Sequence, residues 1–252
     1  MANVQEIHAK LREKHALETD LLHWKQWQKQ LNDKLPELKH ASREAGVART
    51  EYENGGFQKF LHRLSGKYEE TLETLRRGEL NAANALSQAK REFGDLERQM
   101  TIAQEELQDL NLWLEEQEEQ IRQEPSLLEL KKHLDAQLCA RRMLPLLSQV
   151  TQELEGAADC IRNWTMQMNA RYERDICLSR ADAAAKECFC LLEQIRNCGI
   201  LLEIHPYFTN PSGYIVGVAR QFGELDRINS ALAAIRETEK QAKELILQLN
   251  DE

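Results

Sequence analysis

The chain has 252 residues, of which 30% are charged and only 6% are aromatic, and its net charge is −9 at neutral pH. This composition is typical of long amphipathic helices with solvated outer faces. The acidic balance argues against a nucleic-acid partner, because binding a phosphate backbone requires a basic face. Neither a transmembrane span nor a signal peptide is predicted. We therefore expect a cytosolic protein, with a non-classical export route left open.

The N-terminal part, residues 2–53, is predicted to be one long helix with a single apolar stripe. Pro36 lies inside it and should kink the helix near Leu35 rather than end it. The heptad register slips between Leu11 and Leu17. The stripe comprises Val4, Ile7, Leu11, Leu17, Leu21, Trp24, Leu31, Leu35 and Leu38.

The helix is expected to stop at Asn54-Gly55-Gly56, because two successive glycines disfavour helix continuation. Residues 54–66 then form the tip of the predicted fold, with a short amphipathic piece from Phe57 to Leu64. Its apolar residues are Phe57, Phe60, Leu61 and Leu64, and its basic neighbours are Lys59, His62, Arg63 and Lys67. The apolar residues either cap the end of the hairpin or contact a partner or a membrane surface. We favour capping.

The stretch from Tyr68 to Ile121 carries the strongest pattern in the sequence, an apolar seam in steps of four and three residues. Only Glu79 and Gln117 interrupt it. An apolar repeat every 3.5 residues is typical of a coiled coil. As one helix, the stretch would be a rod of roughly 80 Å. The seam comprises Tyr68, Leu72, Leu75, Ala82, Leu86, Ala89, Phe93, Leu96, Met100, Ala103, Leu107, Leu110, Leu114 and Ile121.

Folding the chain at the tip matches the two arms in length and predicts an antiparallel coiled-coil hairpin over residues 1–124. In this register Leu31 faces Ala89 and Leu38 faces Ala82. Large residues thus oppose small ones, as close packing favours.

The remaining residues, 125–252, are predicted to form a small helical bundle, which makes the protein all-α. The apolar face widens at Leu110, Leu112, Trp113 and Leu114, so further helices should pack there. Helices are expected over 126–168, with Pro145 breaking or kinking the first, then over 178–202 and 214–249. Residues 203–213 contain two prolines and a glycine and are predicted to form an irregular, partly extended loop.

The search for chemistry yields no catalytic, metal or cofactor site. The six cysteines (139, 160, 177, 188, 190 and 198) are read as free thiols, and Cys188 and Cys190 should lie on two faces of a helix, unsuited to one metal. Glu37-Leu-Lys-His40 has no second copy and is read as a solvated face. Trp24 and Trp27 are read as core residues. Glu115 to Glu119 is read as a solvated acidic face.

Three stretches together resemble an uncharacterised family of bacterial coiled-coil proteins, commonest in Firmicutes. The break and restart from Gly55 to Leu72 is similar to its "L-G-K-K-E-E-K-L" restart, and Arg180-Ala-Asp-Ala-Ala-Ala-Lys186 is similar to its "K-I-D-x-A" helix start. The segment from Leu202 through Gly213-Tyr-Ile-Val to Asp226-Arg-Ile228 is similar to its extended segment before a final helix. The family's Trp-Gly and Gly-Gly-Gly turn is missing. The resemblance implies the helical architecture; the family has no assigned activity, so the resemblance adds no catalytic residues.

We therefore expect a non-enzymatic scaffold or spacer that presents its tip and its base to protein partners, without a cofactor. A homo-oligomer is compatible with the pattern. The alternative is peripheral membrane association or pore-forming-like insertion of an elongated helical protein.

Overall fold

A computed structural model describes residues 3–56, 62–64, 66–163, 169–216 and 223–247. It is 92% helical and contains no strand in these ranges. This helix content confirms the predicted all-α class. The prediction succeeded because apolar residues at helical spacing dominate nearly every segment.

Two long helices make up the N-terminal half: α1 spans Val4–Asn54 and α2 spans Tyr68–Glu116. Pro36 lies inside α1 and does not end it, as predicted. The helix ends at Asn54, the first residue of the predicted stop signal.

The predicted seam of α2 is buried or half-buried at all of its positions, whereas apolar residues off the seam, Leu80, Ile102 and Leu112, are exposed. The prediction of one helix as far as Ile121 is wrong. The Gln117 N–H donates to the Leu114 carbonyl only three residues back, at 3.1 Å, which tightens the last turn. A separate helix α3, Glu118–Gln123, follows. The break falls at one of the two polar positions of the seam.

The chain divides into two compact units, one of residues 20–109 and one of residues 1–19 with 110–252. In the first unit, the end of α1 contacts the start of α2. Arg49 Nε lies 2.8 Å from Glu79 Oε2, and Arg76 Nη2 lies 3.2 Å from Glu53 Oε1. The predicted domain boundary at residue 124 stays a prediction.

The core of the second unit lies among α4 (Pro125–Arg162), α5 (Ala170–Asn197) and α8 (Glu224–Leu247). Pro145 lies within α4 without ending it. The side-chain amide of the buried Gln137 donates to the carbonyls of Leu245 and Ile246, at 3.3 and 3.1 Å. These bonds connect α4 to the last described turn of α8.

A second apolar cluster in this unit joins the first turns of α1 to α2, α3 and α4. Its buried members are Ile7, Leu11, Leu110, Leu114, Ile121, Leu127, Leu130 and Leu134, with Leu17 and Trp113 half-buried beside them. Packing at the widened apolar face of α2 therefore occurs as predicted, except at Leu112, which is exposed. Residues two apart on a helix point to different sides, so Leu112 cannot share the face of Leu110 and Leu114.

The C-terminal boundaries differ from the predicted ones. Helix α5 begins at Ala170 and ends at Asn197, not at Leu202. Gly199 has a φ of +89°. Its N–H donates to the Arg196 carbonyl, and the next N–H, of Ile200, donates to the Ile195 carbonyl. This Schellman arrangement ends the helix.

The segment 203–213 is not an irregular loop throughout. After non-helical backbone up to His205, α6 spans Pro206–Thr209 and α7 spans Pro211–Val216. Each begins with a proline, because the fixed φ of proline suits the first helical position. The helix predicted from Tyr214 to Leu249 is therefore α7 followed by α8, and residues 217–222 between them lie outside the described ranges.

Candidate functional site

Of the predicted tip residues, Phe57, Lys59, Phe60 and Leu61 lie outside the described ranges, while Arg63 and Leu64 are described. The Arg63 guanidinium lies 5.0 Å from the centroid of the Tyr68 ring, within cation–π distance. Leu64 is 70% exposed. Whether the other three apolar residues cap the hairpin stays a prediction.

A small aromatic cluster fixes the described part of the tip. Tyr52 from the end of α1 stacks on Tyr68 from the start of α2, with ring centroids 5.6 Å apart. Tyr52 Oη lies 2.7 Å from Nδ1 of His62. The cluster ties the residues before Leu64 to both long helices, so Leu64 extends from an anchored segment.

Of the other candidates on α1, His40 and Trp27 lie at the surface, whereas Trp24 is half-buried. His40 Nδ1 lies 3.2 Å from Glu44 Oε2, and both side chains are exposed, which confirms a solvated face. The core interpretation is wrong for Trp27, which is 46% exposed. Trp27 lies three residues after Trp24, about 60° around the helix from it, and therefore at the edge of the apolar stripe rather than in its centre.

The cysteines are free thiols, as predicted, and Cys188 is buried while Cys190 is exposed. Burial raises the pKa of Cys139 to about 11 and that of Cys188 to about 12. Both are therefore protonated at neutral pH and are poor nucleophiles. Among the described residues, no group of three or more His, Cys, Asp or Glu side chains could hold a metal ion.

A cavity of about 230 Å³, which no sequence pattern predicted, lies against α5 in the second unit. Its apolar lining consists of Leu154, Leu178, Pro211 and Ile215. Its polar lining consists of Asp175, Ser179, Asp182, Tyr207 and Ser212. The two carboxylates are seven residues apart on α5, which is two helical turns and places them on one face.

Asp182 holds α7 against α5. Its Oδ1 accepts hydrogen bonds from the backbone N–H and the hydroxyl of Ser212, at 3.1 and 2.6 Å, and its Oδ2 lies 2.7 Å from Lys186 Nζ. Burial works to raise the pKa of Asp182, but the hydrogen bonds from Lys186 and Ser212 hold it below the ordinary 3.8. The carboxyl is therefore ionised at neutral pH.

Asp175 lies at the more exposed side of the cavity. Its Oδ1 accepts from Nε and Nη2 of Arg174, at 2.9 and 2.6 Å. The same guanidinium contacts Glu224 Oε2 through Nη1 at 3.4 Å, so it is shared between two carboxylates. None of the described lining residues is basic.

Tyr207 is the buried polar group of the cavity. It is 1% exposed, and its ring meets those of Phe208 and Tyr214 edge-on. Its hydroxyl is buried without a hydrogen-bond partner among the described residues. Burial first, and then the charges of Asp182 and Cys188, raise the pKa of Tyr207, so the phenol stays protonated. In the sequence this group is marked by an aromatic pair between two prolines, within the segment predicted to be a loop.

Comparison of the chain with protein-family models, curated proteins and solved structures finds no match. The resemblance to the bacterial coiled-coil family stays a prediction. In the part of the chain that the structure describes, no helix has a segment long and apolar enough to span a membrane.

Proposed function

We propose that the protein is a non-enzymatic scaffold whose first unit is an antiparallel coiled-coil hairpin that presents its tip to a protein partner. The observation that carries this is Leu64, an exposed leucine on an anchored segment between two long helices. A single exposed apolar residue is common on protein surfaces. An anchored one is already ordered, and this lowers the entropic cost of binding.

The pairing of α1 and α2 supports the hairpin. The ion pairs Arg49–Glu79 and Arg76–Glu53 and the stacking of Tyr52 on Tyr68 join the end of one helix to the start of the next. From Glu53 back to Arg49 in α1, the ion-pair partner in α2 moves forward from Arg76 to Glu79, as antiparallel pairing requires. The buried seam of α2 supplies the apolar stripe that a coiled coil needs.

Site-specific photo-crosslinking in cells tests this function. A photoreactive amino acid replaces Leu64 in the full chain, and a matched label replaces Leu80, which is similarly exposed within α2. We expect one discrete protein adduct from position 64 and none from position 80. The partner, identified by mass spectrometry and purified, should bind the wild-type chain and lose affinity for Leu64→Ser.

Equal labelling from both positions, or reconstituted binding unaffected by Leu64→Ser, would contradict a contact at the tip. A partner contact at Leu64 also predicts that Leu64→Ser leaves thermal stability unchanged, because the side chain is exposed in the free protein.

A membrane surface is the second candidate, since the exposed Leu64 lies beside the basic Arg63. Co-sedimentation with vesicles that contain anionic lipid distinguishes a membrane surface from a protein partner. Binding that depends on Leu64 and weakens with salt would favour the membrane, because screening weakens attraction between Arg63 and the lipid headgroups.

A further inference from the structure

Two cysteine side chains meet where α4 packs against α5. The Cys139 thiol on α4 donates a hydrogen bond to Oε1 of Gln194 on α5, at 3.3 Å. Cys198 lies one helical turn after Gln194, on the same face and at the C-cap of α5. Both cysteines belong to one apolar cluster, in which Cys139 is buried and Cys198 is half-buried at its edge. They therefore share one region of the interface between the two helices.

The register of the two helices supports this placement. A Cβ atom at Gly156 of α4 would lie 3.4 Å from Sγ of Cys177 on α5. From Cys139 to Gly156, α4 advances by as many residues as α5 goes back from Gln194 to Cys177. The helices thus pack antiparallel in a single register, and Cys198 lies about one turn from the position that faces Cys139.

The electrostatics of the pair agree with this geometry. Burial, and next the charge of Cys198, raise the pKa of Cys139 to about 11. Repulsion between two thiolates acts at short range, so the contribution of Cys198 is a further sign that the two side chains are neighbours.

The position of Cys198 at a helix end favours the closure of a bond between the two sulfur atoms. A disulfide requires Cα atoms about 4.4–6.8 Å apart. Cys198 is the C-cap of α5, and Gly199, with a φ of +89°, ends the helix directly after it. Bringing Cys198 to bonding distance therefore moves the end of a helix and leaves its body in place.

We propose that Cys139 and Cys198 form a reversible disulfide by exchange with a low-molecular-weight disulfide such as oxidised glutathione. Cys198 loses its proton and attacks one sulfur of oxidised glutathione, which releases one glutathione thiolate. Cys139 then loses its proton and attacks the Cys198 sulfur of the mixed disulfide, which releases the second thiolate. The two protein thiols are oxidised to one disulfide, and the glutathione disulfide is reduced to two thiols that take up the two protons.

Burial sets the order of the two steps. Cys139 is 7% exposed and is poorly reached by an external reagent, whereas Cys198 is half-buried. In the mixed disulfide the sulfur under attack lies beside Cys139, and this proximity offsets the low thiolate fraction of Cys139. Disulfides in a reducing compartment are usually transient. The pair is thus a redox-responsive clamp that fastens the end of α5 to α4.

Equilibration of the full chain in glutathione buffers of stepped thiol-to-disulfide ratio tests the proposal. Alkylation traps the free thiols, and peptide mass spectrometry identifies each disulfide. We expect an intramolecular Cys139–Cys198 disulfide that dithiothreitol reverses. Its equilibrium constant should be at least about tenfold larger in the native chain than in concentrated urea, because folding raises the effective concentration of one thiol at the other. Absence of this disulfide, or equal constants in the native and unfolded chain, would overturn the proposal.

Two variants test the order of the steps. Cys139→Ala should accumulate the mixed disulfide of Cys198 with glutathione, because the second thiol is missing. Cys198→Ala should leave Cys139 reduced. Cys190→Ser, at an exposed cysteine of α5, is the matched control and should leave the constant for the Cys139–Cys198 disulfide unchanged. Glutathione addition to Cys139 in Cys198→Ala as fast as to Cys198 in Cys139→Ala would refute the proposed sequence of attack.

Discussion

Ser212 donates two hydrogen bonds to one carboxylate oxygen of Asp182, a residue 30 positions earlier in the chain. The donors are the backbone N–H, at 3.1 Å, and the hydroxyl, at 2.6 Å. The N–H lies in the first turn of α7, where no intrahelical carbonyl is available to it. An acidic residue on one helix thus satisfies the start of another, and this contact positions the wall of the cavity.

Asp182→Ala should therefore destabilise the second unit. Removing the carboxylate leaves the two donors of Ser212 and the Lys186 ammonium without this acceptor, and we expect a loss of about 1–3 kcal/mol in the free energy of unfolding. Urea denaturation followed by circular dichroism measures it. Asp109→Ala, at an exposed position of α2, should change stability by less than about 0.5 kcal/mol. Equal effects would mean that the Asp182 contacts do not stabilise the fold.

The seam of α2 predicts different costs for the same substitution at two leucines. Leu96 is 2% exposed and Leu80 is 60% exposed. Leu96→Ala should cost about 2–4 kcal/mol through lost burial and the cavity that remains. Leu80→Ala should cost less than about 0.5 kcal/mol. Comparable losses in chemical denaturation would show that the register of the seam is wrong.

Replacing each of two glycines by alanine should change the stability of the protein in opposite directions. Gly199 has a φ of +89°, which alanine adopts only with strain, so Gly199→Ala should cost about 1–2 kcal/mol. Gly78 lies inside α2 with open space around it, and Gly78→Ala should stabilise the protein by up to about 1 kcal/mol. Thermal melts of the two variants beside the wild type provide the comparison. A stabilising Gly199→Ala would contradict the helix-ending motif.

His15 should make stability fall in mild acid. Burial, followed by the nearby charge of Arg141, lowers the pKa of His15 below its ordinary 6.5. As pH falls below about 6.5, the unfolded chain takes up this proton before the folded chain does, so the free energy of unfolding decreases. The comparison is between wild type and His15→Gln in urea at pH 7.5 and 5.5.

The wild type should lose more stability than His15→Gln over this interval. Glu18 and Asp135 lie near His15, and burial raises the pKa of each, but they titrate in both proteins and largely cancel in the difference. Arg141→Gln should reduce the pH dependence of the wild type, since it removes the second cause. Parallel curves for wild type and His15→Gln would refute the assignment.

The thiols should react in an order set by burial. Cys190 is exposed, whereas Cys139 and Cys188 are buried with pKa values of about 11 and 12. At pH 8, Ellman's reagent should label Cys190 first and label Cys139 and Cys188 only after unfolding. Cys190→Ser should remove the fast phase. Rapid labelling of Cys188 in the native chain would contradict the buried core of α5.

Much of the helical framework was predictable because local periodicity encodes it. The seam from Tyr68 to Leu114 identified the buried positions of α2, and Asn54-Gly55-Gly56 identified the end of α1. These signals lie within a few residues of the structure that they specify. The helical spacing alone did not predict the exposure of Trp27, because Trp27 lies within about 60° of both Trp24 and Leu31 around the helix.

Contacts between residues far apart in the sequence could not be predicted, because they form only when the helices pack together. The sequence around Asp182 does not indicate that its carboxylate accepts hydrogen bonds from Ser212. The sequence around Tyr207 does not indicate that its hydroxyl is buried without a hydrogen-bond partner among the described residues. Both depend on how α6 and α7 pack on α5, where burial and electrostatics between segments of low periodicity determine the arrangement. The sequence alone determined the helices and their apolar faces, because helix formation and amphipathicity are local. The tertiary structure decided the cavity, because a cavity requires side chains that only packing brings together.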